Sequence, residues 1–217
     1  MAPFADPQTP ALVLDLDGTL VDSLPGITAC LNEVLAPGPA YTPAEVRPMI
    51  GDGVAALLHR AWAARGMPGN TAVLAAYTER YTARAGQGDT LFPDVADTLR
   101  ALQGEWRLAV CTNKTEAAAR VLLDRLGLGD LFAAVGGGDS FPVRKPDPRH
   151  LLDTLSAAGG GRAVMVGDHH NDIRAARGAG LPCIFAAWGY GTPDMAEGAA
   201  VAERFADVPA IARRLLA

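Results

Sequence analysis

The sequence predicts an α/β protein: a parallel sheet with helices on both faces, interrupted after its first strand by a small all-helical segment. Three observations lead there. From about residue 91 to the end, short apolar runs alternate with helical stretches, and such alternation makes parallel sheets covered on both sides. The first run, Ala11 to Leu14, is apolar throughout instead of every second residue, as a strand buried on both faces requires. Between Leu24 and Arg84 helical spacing takes over, and no strand pattern interrupts it.

Pro3, Pro7 and Pro10 mark an irregular lead-in before the first strand. In the first helix Pro25 suits the opening turn, and Ile27, Cys30, Leu31, Val34 and Leu35 recur at helical spacing until Pro37-Gly38-Pro39 breaks it. Thr42-Pro43-Ala44-Glu45 reads as a capping box with proline at the first helical position. Gly51-Asp52-Gly53 is a loop, and Val54, Leu57, Leu58, Ala61 and Trp62 form the next apolar face. A further helix near Thr71 to Ala83 turns Val73, Leu74, Tyr77 and Tyr81 inward, and Gly86-Gln87-Gly88-Asp89 leads back flexibly. The division expected is a discontinuous α/β core, residues 1–21 and 91–217, with a helical insert over 22–90.

After Phe92-Pro93 a helix (Asp94 to Leu102) leads to a strand (Leu108 to Thr112) and a helix (Glu116 to Leu126) stopped by Gly127. A weak strand at Ala133 to Val135 runs into Gly136 to Gly138. A helix near Pro148 to Ala158, a strand at Ala163 to Val166, a helix to about Ala179 capped by Gly180, a strand at Cys183 to Ala187 and a helix over Val208 to Leu216 complete a Rossmann-like series.

Composition narrows the function. A chain of 217 residues suits one large domain, or a domain carrying an insert. A net charge of -5 without a basic stripe argues against a nucleic-acid surface, and no apolar run approaches the ~20 residues of a membrane span. Cys30, Cys111 and Cys183 form no C-x-x-C pair, so neither a disulfide framework nor a zinc site is expected. Cys111 reads as a buried strand residue. The start, Met1 to Pro7, has neither a basic nor an apolar signal region, and a cytoplasmic protein, monomer or homodimer, is the expectation.

In open parallel sheets ligands sit outside the carboxyl ends of the strands, where strand order reverses. The polar residues here fall at those ends. Asp15 and Asp17, separated by Leu16, follow the first strand, and share a face while the chain stays extended. Gly18 then allows a sharp turn. Thr112-Asn113-Lys114 follows the second strand, Lys145 lies in the loop after the third, and Asp168, with Asp172 beyond, follows the fourth. Singly each has an ordinary explanation. Asp-Gly is a common turn pair, Thr112 could cap a helix, Lys145 could be a solvated loop lysine, and Asp168 and Asp172 could serve the start of their helix. A hydroxyl, a lysine and four carboxylates together at strand ends are not predicted by structural needs alone.

These residues resemble the four motifs of the haloacid dehalogenase superfamily: D-L-D-G-T-L from Asp15, the threonine of C-T-N-K, the lysine of K-P-D-P, and G-D-H-H-N-D. The insert resembles that superfamily's helical cap. Within it the chain looks most like the phosphoglycolate phosphatase group, through D-S at Asp22, I-G-D-G at Ile50, L-F-P-D-V at Leu91, G-G-D at Gly137 and W-G-Y-G at Trp188. The resemblance implies Mg²⁺ held by the Asp15 carboxylate, the Asp17 carbonyl and the Asp168 carboxylate, with Asp172 in support. It implies a phosphate held by Thr112, Asn113 and Lys145, attack by Asp15 to give an aspartyl-phosphate, and acid/base work by Asp17.

The chemistry explains such a set. Like charges ~4 Å apart repel by about 4 kcal/mol at an effective dielectric near 20, so an anionic nucleophile meets a phosphate dianion only where cations cancel the field. An aspartate at position 17 points to phosphoryl transfer, since dehalogenating members lack it. The expectation is hydrolysis of a small phosphate monoester, 2-phosphoglycolate first. A sugar-phosphate phosphatase or a β-phosphoglucomutase-like phosphotransferase is the alternative, and a non-enzymatic, aspartate-phosphorylated switch a distant one. Arg47 is the candidate contact to a substrate carboxylate, with an exposed helix arginine as the competing reading, and His59 is expected to pack at the cap surface. His169 stands where the group usually has a serine, and is expected to point away from the metal.

Overall fold

A computed structural model describes residues 9–217; the proline lead-in at Pro3 and Pro7 lies outside them. Strand β1 (Ala11–Leu14) forms the middle of a six-stranded parallel sheet. Its neighbours are β4 (Arg107–Cys111) and β6 (Ala163–Gly167), with Leu12 in register with Leu108 on one side and Val164 on the other. Beyond β4 lies β5 (Ala134–Gly136); beyond β6 lie β7 (Cys183–Ala186) and β8 (Ala200–Ala202). The chain therefore winds to one side of β1 and then to the other, so strand order reverses at β1 and opens a crevice at its carboxyl end.

The continuous apolar run of β1 is divided between two cores. Leu12 and Leu14 join Leu108, Val110, Val164 and Val166 on one face. There α6 (Glu116–Arg125) and α9 (Val208–Leu216) cover them, through residues such as Leu122 and Ile211. Ala11 and Val13 face the other way, onto Leu151, Leu155 and Ile173 of α7 (Pro148–Ala157) and α8 (His170–Gly178). Every β1 residue is buried, which is why the run shows no polar alternation.

The inserted helices are α1 (Leu24–Leu35), α2 (Pro43–Val46), α3 (Val54–Ala64) and α4 (Thr71–Arg84). The Thr42–Glu45 capping box forms in both directions. Tyr77 and Tyr81 turn inward as their spacing predicts, and stack with centroids 5.7 Å apart. His59 is exposed.

Several expectations need correction. Two strands unread in the sequence, β2 (Val21–Asp22) and β3 (Thr90–Leu91), pair antiparallel where the insert leaves and rejoins the sheet region. At two residues each they are too short for any periodicity. Strand β8 likewise has no signature in the sequence; it is an edge strand of alanine and valine with Val201 46% exposed. The helix expected from Asp94 is α5 (Val95–Ala101), because Asp94 takes a left-handed φ of 66°. Strand β4 ends at Cys111, so Thr112 begins the loop while its N–H still bonds the Gly136 carbonyl at 2.9 Å. Strand β5 lies one residue later than Ala133 to Val135, and β7 ends one residue before Ala187.

Candidate active site

The carboxyl ends of β1, β4 and β6 and the loop after β5 converge. Asp15 continues β1, its N–H held by the Val166 carbonyl at 2.9 Å. Gly18 turns the chain back at φ +87°, and a Cβ there would collide with the Asp168 carboxylate, so the turn needs glycine both for its conformation and for its closeness. Asp17 then faces the opening. Its Oδ1 accepts from the Ser23 hydroxyl at 2.5 Å, and its Oδ2 lies 2.9 Å from Lys114 Nζ.

Lys145 Nζ sits 2.9 Å from Asp15 Oδ1 and donates to Asp172 Oδ1 at 2.6 Å. It is 3% exposed, so the solvated-lysine reading fails. Burial opposes its charge, but Asp15 and Asp172 more than offset that and hold it above the ordinary lysine range. Asp172 is fully buried, and its Oδ2 accepts the His169 N–H at 3.1 Å at the start of α8. The cap of α8 is His169, not Asp168. Asp168 instead takes the Thr19 hydroxyl at 2.8 Å and the Tyr190 N–H at 2.8 Å.

Asp15, Asp168 and Asp172 each present an oxygen, all within 4.8 Å of one another. Burial raises Asp15 to about 6 in spite of Lys145, and burial with the Asp15 and Asp172 charges raises Asp168 to about 7. Asp15 Oδ1 has the Lys145 ammonium 2.9 Å away as an ion-pair partner, but no well-aligned hydrogen bond among the described residues. A buried acceptor left in that way is costly. The donor set is carboxylate oxygen, which suits a hard divalent cation, and a cation would lift the repulsion that raises both aspartates.

Over this floor lies a pocket between the inserted helices and the sheet, lined by Asp15, Asp17, Thr112, Lys114 and Tyr81 among others. Thr112 is buried at its edge, its hydroxyl accepting the Lys114 N–H at 3.2 Å; the cap of α6 is Thr115 instead. Asn113 also lines the cavity, but its amide donates to the Gly51 and Lys145 carbonyls at 2.8 and 2.9 Å. The side chain therefore ties the insert to the floor. Arg47 does not line the cavity. Its guanidinium donates to the carbonyls of Gly189 (2.6 Å) and Tyr190 (3.1 Å), bridging insert and core. His169 turns toward Gly51 and lies against His170, ring centroids 4.0 Å apart, and burial lowers it to about 4.

A family model described as haloacid dehalogenase-like hydrolase matches residues 9–180, a stretch containing Asp15, Asp17, Thr112, Lys145, Asp168 and Asp172 but ending before Gly189 and Tyr190. The chain belongs to that family. Among relatives of this hydrolase, a phosphoglycolate phosphatase of Agrobacterium fabrum is 40% identical over 200 residues, spanning 88% of this chain and 86% of its own. A phosphoglycolate phosphatase of Rhodospirillum rubrum is 40% identical over 206 residues, 88% of this chain and 85% of its own. The crystal structure of a predicted phosphoglycolate phosphatase from Haemophilus somnus superposes with a TM-score of 0.84 at 28% identity, over 95% of this chain and 99% of that one. CbbY from Rhodobacter sphaeroides, solved in complex with phosphate, gives 0.79 at 26%, over 93% and 96%.

Other contacts of the hydrolase at this site have no signature in the sequence. Lys114 was visible in C-T-N-K, but its pairing with Asp17 was not. Tyr190, in W-G-Y-G, accepts the N–H groups of Ser23 and Leu24 at 2.7 and 2.9 Å. Asn171 donates to Asp52 at 2.7 Å across the insert–core boundary. No local signal marks these contacts, since each joins segments more than 90 residues apart.

Proposed function

We propose that this hydrolase is a Mg²⁺-dependent phosphatase acting on a small phosphate monoester, with 2-phosphoglycolate the first choice, through an aspartyl-phosphate on Asp15. The observation that carries the reading is the cluster of Asp15, Asp168 and Asp172 oxygens around the Lys145 ammonium, beneath the pocket between insert and sheet. Asp15, the Asp17 carbonyl and Asp168 would hold the ion, with Asp172 in support, and its charge would offset that of the phosphate. Residues 22–90 serve as the cap that keeps bulk water away.

The chain's own residues perform the steps. Lys145 steadies the Asp15 carboxylate and offers positive charge beside the phosphoryl group. The Thr112 hydroxyl and the Asn113 main chain orient phosphoryl oxygens. The Asp15 carboxylate oxygen bonds to phosphorus as the ester bond breaks, and Asp17 delivers a proton to the departing alkoxide. Asp17 then takes a proton from the water that opens the aspartyl-phosphate.

The phosphoglycolate names of the two 40%-identical relatives support the substrate. Three buried, unpaired cysteines are consistent with a reducing cytoplasm. Asp15→Asn is expected to abolish Mg²⁺-dependent phosphate release from 2-phosphoglycolate, a loss of at least about 10³-fold. Retention of most of the activity would overturn the reading. A phosphoenzyme that resists water but transfers to a sugar phosphate would favour a phosphotransferase instead.

A further inference from the structure

We infer that Lys114 reads a carboxylate on the substrate, carried by the carbon next to the ester oxygen, and so selects short anionic esters over equally small neutral ones. The inference rests on the phosphatase reading above and narrows its substrate class.

Among the described residues lining the pocket, Lys114 is the only one with a cationic side chain; Lys145 lies beneath, taken up by Asp15 and Asp172. The Lys114 side chain is 4% exposed, and an ammonium so placed is held there by its partners. Two are seen. Nζ lies 2.9 Å from Asp17 Oδ2 and donates to the Tyr81 hydroxyl at 2.8 Å, 4.1 Å from the ring centroid. An ammonium carries three protons.

The rest of the wall offers an anionic tail little. Ile27, Ile50, Val54 and Leu57 are apolar. The hydroxyls of Thr78 and Thr82 are spent on the Leu74 and Thr78 carbonyls of their own helix, at 2.9 and 2.8 Å. Lys114 with Tyr81 is therefore the buried cationic group that can meet negative charge there; the exposed Arg144 guanidinium lies farther along, beside Gly53.

Chemistry fixes the distance. An ester oxygen that leaves with a proton from Asp17 must lie within hydrogen-bond reach of that carboxylate. In a 2-phospho-acid of two carbons the carboxylate carbon is two bonds from the same oxygen. An ammonium already touching Asp17 then falls within reach of both. Tyr81 belongs to the insert and Lys114 to the core loop after β4, so the recognition group is complete only when the two pack together.

The test compares kcat/KM of the intact protein with Mg²⁺ for 2-phosphoglycolate and for ethyl phosphate, which shares the alkyl leaving oxygen but lacks the carboxylate. Lys114→Met is expected to lower the ratio of the two values about 10- to 100-fold, chiefly through KM for phosphoglycolate. An equal loss on both esters would mean that Lys114 serves only Asp17; it would overturn the inference and leave the phosphatase reading standing. A wild-type protein that hydrolyses neither ester would overturn that reading, and the inference with it. Should Lys114→Met fail to fold, inhibition of the wild type decides: 3-phosphonopropionate must bind more tightly than propylphosphonate, and equal binding would overturn the inference.

Discussion

Lys145 sits between Asp15 and Asp172, and its substitution removes the only cation seen between them. In metal-free protein at pH 8, Lys145→Met would leave facing carboxylates without a counter-charge. Breaking such a buried arrangement costs about 3–5 kcal/mol, expected as a lower urea midpoint at unchanged slope; a loss below about 1 kcal/mol would contradict the pairing. At this scale the sequence was informative where a polar residue follows an apolar run. Asp15, Asp17, Thr112, Asp168 and Asp172 were legible because a carboxylate or hydroxyl at a buried strand's end demands a reason. Arg47 and Asn113 were legible only as chemistry, not as direction. Arg47 has an arginine's usual reach, and the loop at Gly189 and Tyr190, more than 140 residues away, took its donors.

The loop after β7 shows how an element without regular structure organises regular ones. The amino end of α1 exposes N–H groups that its own turn cannot satisfy. Ser23 stands at the capping position, but its hydroxyl goes to Asp17, so the helix has no cap of its own. The Tyr190 hydroxyl takes the Ser23 and Leu24 N–H groups and donates to Asp22 at 2.9 Å, while the Tyr190 N–H holds Asp168. One residue thus joins the start of the insert to the carboxylate floor. Tyr190→Phe is expected to cost about 1–3 kcal/mol through unsatisfied N–H groups, lowering Tm by several degrees; an unchanged Tm would show that water replaces the hydroxyl without loss. The helices were legible from their spacing and the Thr42–Glu45 box, whereas β2, β3 and β8 gain their pairing from neighbours rather than from a pattern of their own.

Across the whole molecule, protons and metal compete for one set of oxygens. Asp15 and Asp168 titrate near 6 and 7 in the folded protein and near 3.9 unfolded. Between those limits the folded state holds more protons, so their contribution to stability falls as pH rises through about 4 to 7 in metal-free protein. His169, and His150 buried in α7, are lowered to about 4 by burial and act with opposite sign below about 6.5. Binding a dication requires the carboxylates ionised and releases their protons. The gain in Tm on adding Mg²⁺ is therefore expected to be small at pH 5.5 and to grow through pH 8, measured by calorimetry in paired samples; a gain independent of pH would contradict the assigned carboxylates. The sequence by itself determined the parallel sheet, the helical insert and the residue types at the strand ends, because burial and periodicity are local properties of the chain. The tertiary structure alone decided which ammonium meets which carboxylate, that Tyr190 caps a distant helix, and that Lys114 lines the cavity. Those are distances between segments far apart in sequence, set by how the insert settles on the sheet and by no pattern within either.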